Sequence, residues 1–142
     1  MSYLTPHIKA SIVVATITVA LDWTFHKTLT APMETFDYFT VKWLLAFFVS
    51  TVSFNWLKNE PGSLRGVRLT LVFAAVFSFL MSLYYRWWEY FSGAPYSARA
   101  PDIIFLDRAN VILFAGTWFA AHALFFLVGV WVARKIVKEI AA

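Results

Sequence analysis

Four apolar runs, at residues 8–25, 39–57, 69–88 and 109–133, fill most of this 142-residue chain. A bilayer hydrocarbon core is about 30 Å thick and takes about 20 residues of helix to cross. Inside it a backbone has no water to bond, so the spanning structure open to runs of this length is the helix, whose peptide groups satisfy one another. Four such spans leave little chain for a soluble domain. The sequence therefore predicts an all-α, four-helix transmembrane bundle. It is expected to form one integral membrane domain over residues 1–142, with helices at about 6–26, 39–58, 67–91 and 108–134.

The remaining composition agrees with a multi-pass membrane protein. Charged residues are 14% of the chain, against about 25% in a soluble domain. Aromatic residues reach 20%, and Trp and Tyr favour the headgroup level of a bilayer. The absence of cysteine removes disulfides, thiolate metal sites, Fe–S clusters and thiol catalysis. No basic patch with interleaved aromatics stands on a soluble surface, which gives a nucleic-acid role no support.

Local signals divide the spans. Thr5 can cap the first helix and Pro6 can take its first position. The apolar stretch after Lys9 runs into Asp22-Trp23-Thr24-Phe25-His26 with no Ala-x-Ala-like cleavage site, so it reads as a retained first helix rather than a signal peptide. Residues 27–38, with Pro32, are expected to lie along the membrane surface. Lys58-Asn59-Glu60-Pro61-Gly62-Ser63 is a turn that makes helices 2 and 3 an antiparallel hairpin. Pro95 and Pro101 make the third connection irregular. With both termini and the second connection on one side, that side holds Lys9, Lys58, Arg65, Arg68, Arg134, Lys135 and Lys138 against Glu60 and Glu139. The other side holds Lys27, Lys42, Arg86, Arg99 and Arg108 against Asp22, Glu34, Asp37, Glu89, Asp102 and Asp107. Lys and Arg set orientation, so both termini are expected in the cytoplasm.

Lipid gives no hydrophobic drive to helix association, and small or polar side chains tend to mark the packed faces. Helix 1 shows Ser11, Ala15, Thr18, Asp22 and His26 at spacings of three and four. Helix 2 shows Lys42, Ala46, Ser50 and Ser53, and helix 3 shows Ala74, Ser78, Ser82 and Arg86, with Glu89 one step on. Helix 4 adds Asp107 and Arg108 at its start and Ala115, His122, Gly129 and Ala133 further in. Asp22, His26, Lys42, Arg86, Glu89, Asp107 and Arg108 are expected to converge near the non-cytoplasmic interface. Charge at a bilayer midplane costs at least about 2.5–3.5 kcal/mol, and less towards the interface. Two readings follow. The charges are headgroup-level flanks, paired as Asp22–Lys42 or Glu89–Arg108. Alternatively they are the polar end of a pocket walled by Trp23, Trp43, Tyr85, Trp87 and Trp88 that takes an amphiphile. The candidate ligand-binding set is then Asp22, His26, Lys42, Arg86, Trp87, Glu89, Asp107, Arg108 and His122.

His122 is expected deepest of the ionisable groups, with Asp22 above it. It reads either as a neutral imidazole bonded to Ser50, Ser78 or Ser82, or as part of a proton relay. Bis-histidine haem is disfavoured, because His7 and His26 fall at opposite ends of helix 1. Asp22 and His26 at i, i+4 with Glu89 are a weak metal set, so no metal and no cofactor is assigned. No His-Glu-x-x-His, phosphate-loop, dinucleotide or EF-hand motif occurs, and no serine has a nucleophile-elbow context.

The stretch 56–134, with Pro101-Asp102 before the final helix and Arg134 after it, is similar in outline to the last helices of Insig-type sterol-sensing membrane proteins. It departs from them in lacking paired glycines in the last helix, where only Gly116 and Gly129 stand. The likeness covers about half the chain and implies lipid binding. Function is thus read as amphiphile binding in the charged, aromatic-walled end, with membrane lipid as partner. The alternatives are an oligomeric transporter or channel with a polar path to His122, an intramembrane enzyme on a lipid or isoprenoid with Asp22 and Glu89 as acid and base, and a structural subunit of a larger membrane complex.

Overall fold

The computed structural model describes residues 5–28, 36–57, 64–92 and 108–141, with side chains over 5–25, 39–57, 64–81, 116 and 119–140. The described residues form α1 (Pro6–Thr28), α2 (Phe36–Leu57), α3 (Leu64–Ser92), α4 (Arg108–Ile136) and a short α5 (Lys138–Ala141). Four of these helices are long and apolar enough to cross a membrane, through Pro6–Phe25, Phe39–Leu57, Leu64–Met81 and Phe119–Ile136. The turn at residues 58–63 and the connections expected to be surface-lying or irregular fall outside the described residues, except where α1 and α2 run into residues 27–38 at either end.

Helix α1 starts as its first residues dictate. Pro6 lacks the N–H that a first turn leaves unbonded, and the Thr5 carbonyl accepts the N–H groups of Ile8 and Lys9 at 3.0 and 3.1 Å. Helix α3 begins at Leu64, before the apolar run proper, so Arg65 and Arg68 belong to its first turns.

α1 packs between α2 and α4, and α3 closes the square against the same two helices. Neighbours run antiparallel. Going up α1, Ser11 meets Thr51, Thr16 meets Trp43 and Asp22 meets Lys42. α5 follows directly on α4 and packs against α1.

The bundle carries its apolar surface outside. Phe48, Trp56, Leu124 and Trp131 are 57–68% exposed, whereas Ser11, Thr18, Asp22, Lys42, Ser50, Ser53 and Ser78 are completely buried. Between them lies a core of Val14, Phe54, Phe77, Met81 and Phe126 with the alanines 10, 15, 46, 74 and 133. Most of the buried hydroxyls are internally satisfied. Ser11, Thr18 and Thr70 each donate to the carbonyl four residues back, and Ser50 to the carbonyl three back. Such back-bonding removes the desolvation cost of a hydroxyl without a partner helix. Thr51 adds an interhelical bond, donating to Ser11 Oγ at 3.0 Å.

α1 and α4 approach each other closely at Gly129. An ideal Cβ on Gly129 would lie 2.9 Å from the Val14 carbonyl oxygen and 3.2 Å from Thr18 Oγ1. With Ala133 one turn on, Gly129 forms the small-residue face that lets two helix backbones meet.

Candidate functional site

Three helices each deliver one ionisable side chain to the same point. Asp22 sits six residues from the end of α1 and Lys42 six residues from the start of α2, each about 9 Å of helical rise inside the bundle. His122 lies midway between Arg108 and Ile136. Lys42 Nζ donates to Asp22 Oδ2 in a buried ion pair. His122 Nε2 stands 3.7 Å from the other carboxylate oxygen, Asp22 Oδ1. That is longer than a direct hydrogen bond and short enough for a small side-chain rotation to close. Exposure is 0% for Asp22 and Lys42 and 1% for His122, so the carboxylate lies between a buried ammonium and a buried imidazole.

The sequence explains each placement. Asp22 continues the stripe of Ser11, Ala15 and Thr18, and Lys42 heads the stripe of Ala46, Ser50 and Ser53. Small residues along both stripes bring α1 and α2 together, so the long Lys42 side chain folds inward onto its counter-ion. The fourth wall is aromatic. Phe77 of α3 lies with its ring centre 6.5 Å from the His122 imidazole and 5.2 Å from Phe126, stacked on the latter. Phe125 meets His122 edge-on at 6.3 Å. Sequence reading named Ala74 and Ser78 on α3 and passed over Phe77. The same spacing of three and four that selects Ala74, Ser78 and Met81 also selects it.

One expectation changes. The sequence set Asp22 at an interface and His122 below it, whereas the structure sets them side by side. The reason is the offset between helices: Asp22 lies six residues from the end of α1, and His122 stands midway along α4. Antiparallel packing therefore puts the penultimate turns of α1 opposite the middle of α4. Of the hydroxyls proposed for His122, Ser50 donates to the Phe47 carbonyl and Ser78 to the Phe119 carbonyl, and each oxygen keeps lone pairs that can accept an imidazole N–H.

The rest of the expected cluster is less fully placed. His26, Arg86, Trp87, Glu89 and Arg108 belong to described helices, while their side chains, with those of Tyr85, Trp88 and Ser82, lie outside the described residues, as does Asp107 altogether. On the α3 backbone, Arg86 and Glu89 stand nine and twelve residues beyond Phe77, about 14 and 18 Å of helical rise. Of the aromatic walls, Trp23 is 49% exposed and lies 5.2 Å from Phe39, centre to centre. The Trp43 indole donates to Thr16 Oγ1 at 3.3 Å. Both flank the ion pair from the outer surface. Among the described residues no three His, Asp or Glu side chains group as metal ligands.

Comparison with family models, with curated proteins and with solved structures returns no match.

Proposed function

We propose that this chain is a multi-pass integral membrane protein with both termini in the cytoplasm, and that Lys42–Asp22–His122 is a proton-binding centre of a transporter or channel assembled from several copies. The observation that carries this reading is the burial of all three side chains, from three different helices, each three residues inside the end of a span of membrane-crossing length. An ionisable group in such a place is costly to desolvate and typically marks an ion or proton pathway. A buried ion pair adds little to stability over apolar residues of the same volume, so packing alone gives weak reason for this one. The chemistry is reversible and needs no cofactor. Asp22 accepts from Lys42 on one oxygen and faces His122 on the other, so a proton taken up by the imidazole can pass to the carboxylate and leave as the side chains rotate. One proton enters and one leaves per cycle. A sealed triad suits a proton better than the head of an amphiphile, and four helices enclose little open space, hence the oligomer.

Proteoliposomes carrying an internal pH-sensitive dye test it. An imposed pH gradient, with valinomycin to clamp voltage, is expected to collapse faster than in protein-free vesicles. Asp22→Asn and His122→Gln are expected to slow the collapse at least tenfold while eluting as monodisperse protein. Wild-type flux at the protein-free level, or flux unchanged in both variants, overturns the reading.

Amphiphile binding is the second reading, supported by Trp23 and Trp43 on the outer flank of the pair. It expects a co-purifying lipid whose retention falls in Trp23→Ala and Trp43→Ala with proton flux intact. Unchanged retention counts against it.

A further inference from the structure

A second feature, remote from the triad, lies on the outer face of α3. Arg65 and Arg68 are exposed in its first turns, three residues apart and so neighbours on the helix surface. Continuing along the same face at helical spacing, Val72, Val76 and Phe79 are 55, 41 and 56% exposed. The face therefore reads, from the bundle end inward, as two guanidinium groups and then an apolar track. From Arg68 to Phe79 is eleven residues, about 16 Å of rise. That is the order and scale of a phospholipid, with a phosphate above an acyl chain. The setting is electropositive. Lys9, Arg134, Lys135 and Lys138 share this end of the bundle, and Glu139 is the one carboxylate there among the described side chains.

We infer that the α3 face binds an anionic phospholipid, its phosphate bridged by Arg65 and Arg68 and its acyl chain lying along Val72, Val76 and Phe79. Guanidinium suits the task because its planar fork gives paired donors to phosphate oxygens, where a lysine gives a point charge. Net negative charge on the lipid matters because a zwitterionic headgroup brings its own cation into the same basic collar. The site is independent of the proton centre, and neither proposal needs the other.

Native mass spectrometry of the full chain, released from detergent after incubation with equal amounts of phosphatidylglycerol and phosphatidylcholine, reads the preference directly. Phosphatidylglycerol adducts are expected to exceed phosphatidylcholine adducts, and the excess should fall about fivefold for each arginine replaced in Arg65→Gln and Arg68→Gln. Arg65→Lys is expected to keep part of the preference. Excess inorganic phosphate should leave the bound lipid in place, since the apolar track holds only a lipid. Equal retention of the two lipids by the wild type, an unchanged ratio in the double Arg65→Gln/Arg68→Gln variant, or displacement by phosphate alone overturns the assignment.

Discussion

Lys42 of α2 closes onto Asp22 of α1 with neither side chain exposed. Removing one member leaves the other charge buried without its counter-ion. Asp22→Asn is therefore expected to cost about 3–5 kcal/mol of bundle stability. Replacing the pair together, as Asp22→Leu with Lys42→Met, is expected to recover most of that loss. Unfolding of the purified variants in mixed detergent–SDS micelles measures both. A loss below about 1 kcal/mol in Asp22→Asn would be the figure for a solvated surface pair and would contradict the burial.

Gly129 has no room for a methyl group, because the nearest atoms belong to the Val14 backbone. Gly129→Ala is expected to push α4 from α1 and cost about 1–3 kcal/mol, with Gly129→Leu worse. Gly116 is the internal control. An added Cβ there would meet nothing within 4 Å, so Gly116→Ala should be neutral or, through helix propensity, stabilising by up to about 1 kcal/mol. In the same unfolding assay Gly129→Ala is expected to be the less stable of the two alanine variants.

The Thr51 hydroxyl lies 3.0 Å from Ser11 Oγ across the α1–α2 contact and 2.8 Å from its own Phe47 carbonyl, and its one proton serves the two acceptors in turn. Interhelical hydrogen bonds within a membrane are worth about 0.6 kcal/mol on average, because the separated helices find other partners. Thr51→Val should therefore lose about that much. A loss several times larger would show that this contact registers the two helices.

Phe77 fills the space between His122 and Phe126. In a water-soluble core Phe→Ala costs about 3–5 kcal/mol, part of it transfer out of water. In a bilayer that part vanishes and packing remains, so about 2 kcal/mol is expected for Phe77→Ala. The vacated volume would also loosen the His122 ring, so proton flux should change along with stability, whereas Gly129→Ala alters stability at a distance from the triad.

Much of the fold was legible because a bilayer demands so much of a sequence. Length and apolarity marked four helices, and Thr5 and Pro6 marked where α1 begins. The inward stripes of α1 and α2 were readable too, since small and hydroxyl residues recur at three and four. The relative level of the stripes was not readable. The one-dimensional pattern gives helix lengths and no offset between helices, and so nothing places Asp22 beside His122 rather than above it. Phe77 escaped for a related reason: in a chain with 15 phenylalanines, a ring that faces a histidine looks like one that faces lipid.

The sequence by itself determined that the chain is helical and that four segments are long and apolar enough to cross a membrane, because the cost of an unbonded peptide group in hydrocarbon acts on each segment alone. Only the tertiary structure decided which ionisable groups share a site. That depends on the vertical offset and close approach of separate helices, set by Gly129 against Val14 and by small residues along the stripes, and such offsets are properties of pairs of helices that no single segment encodes.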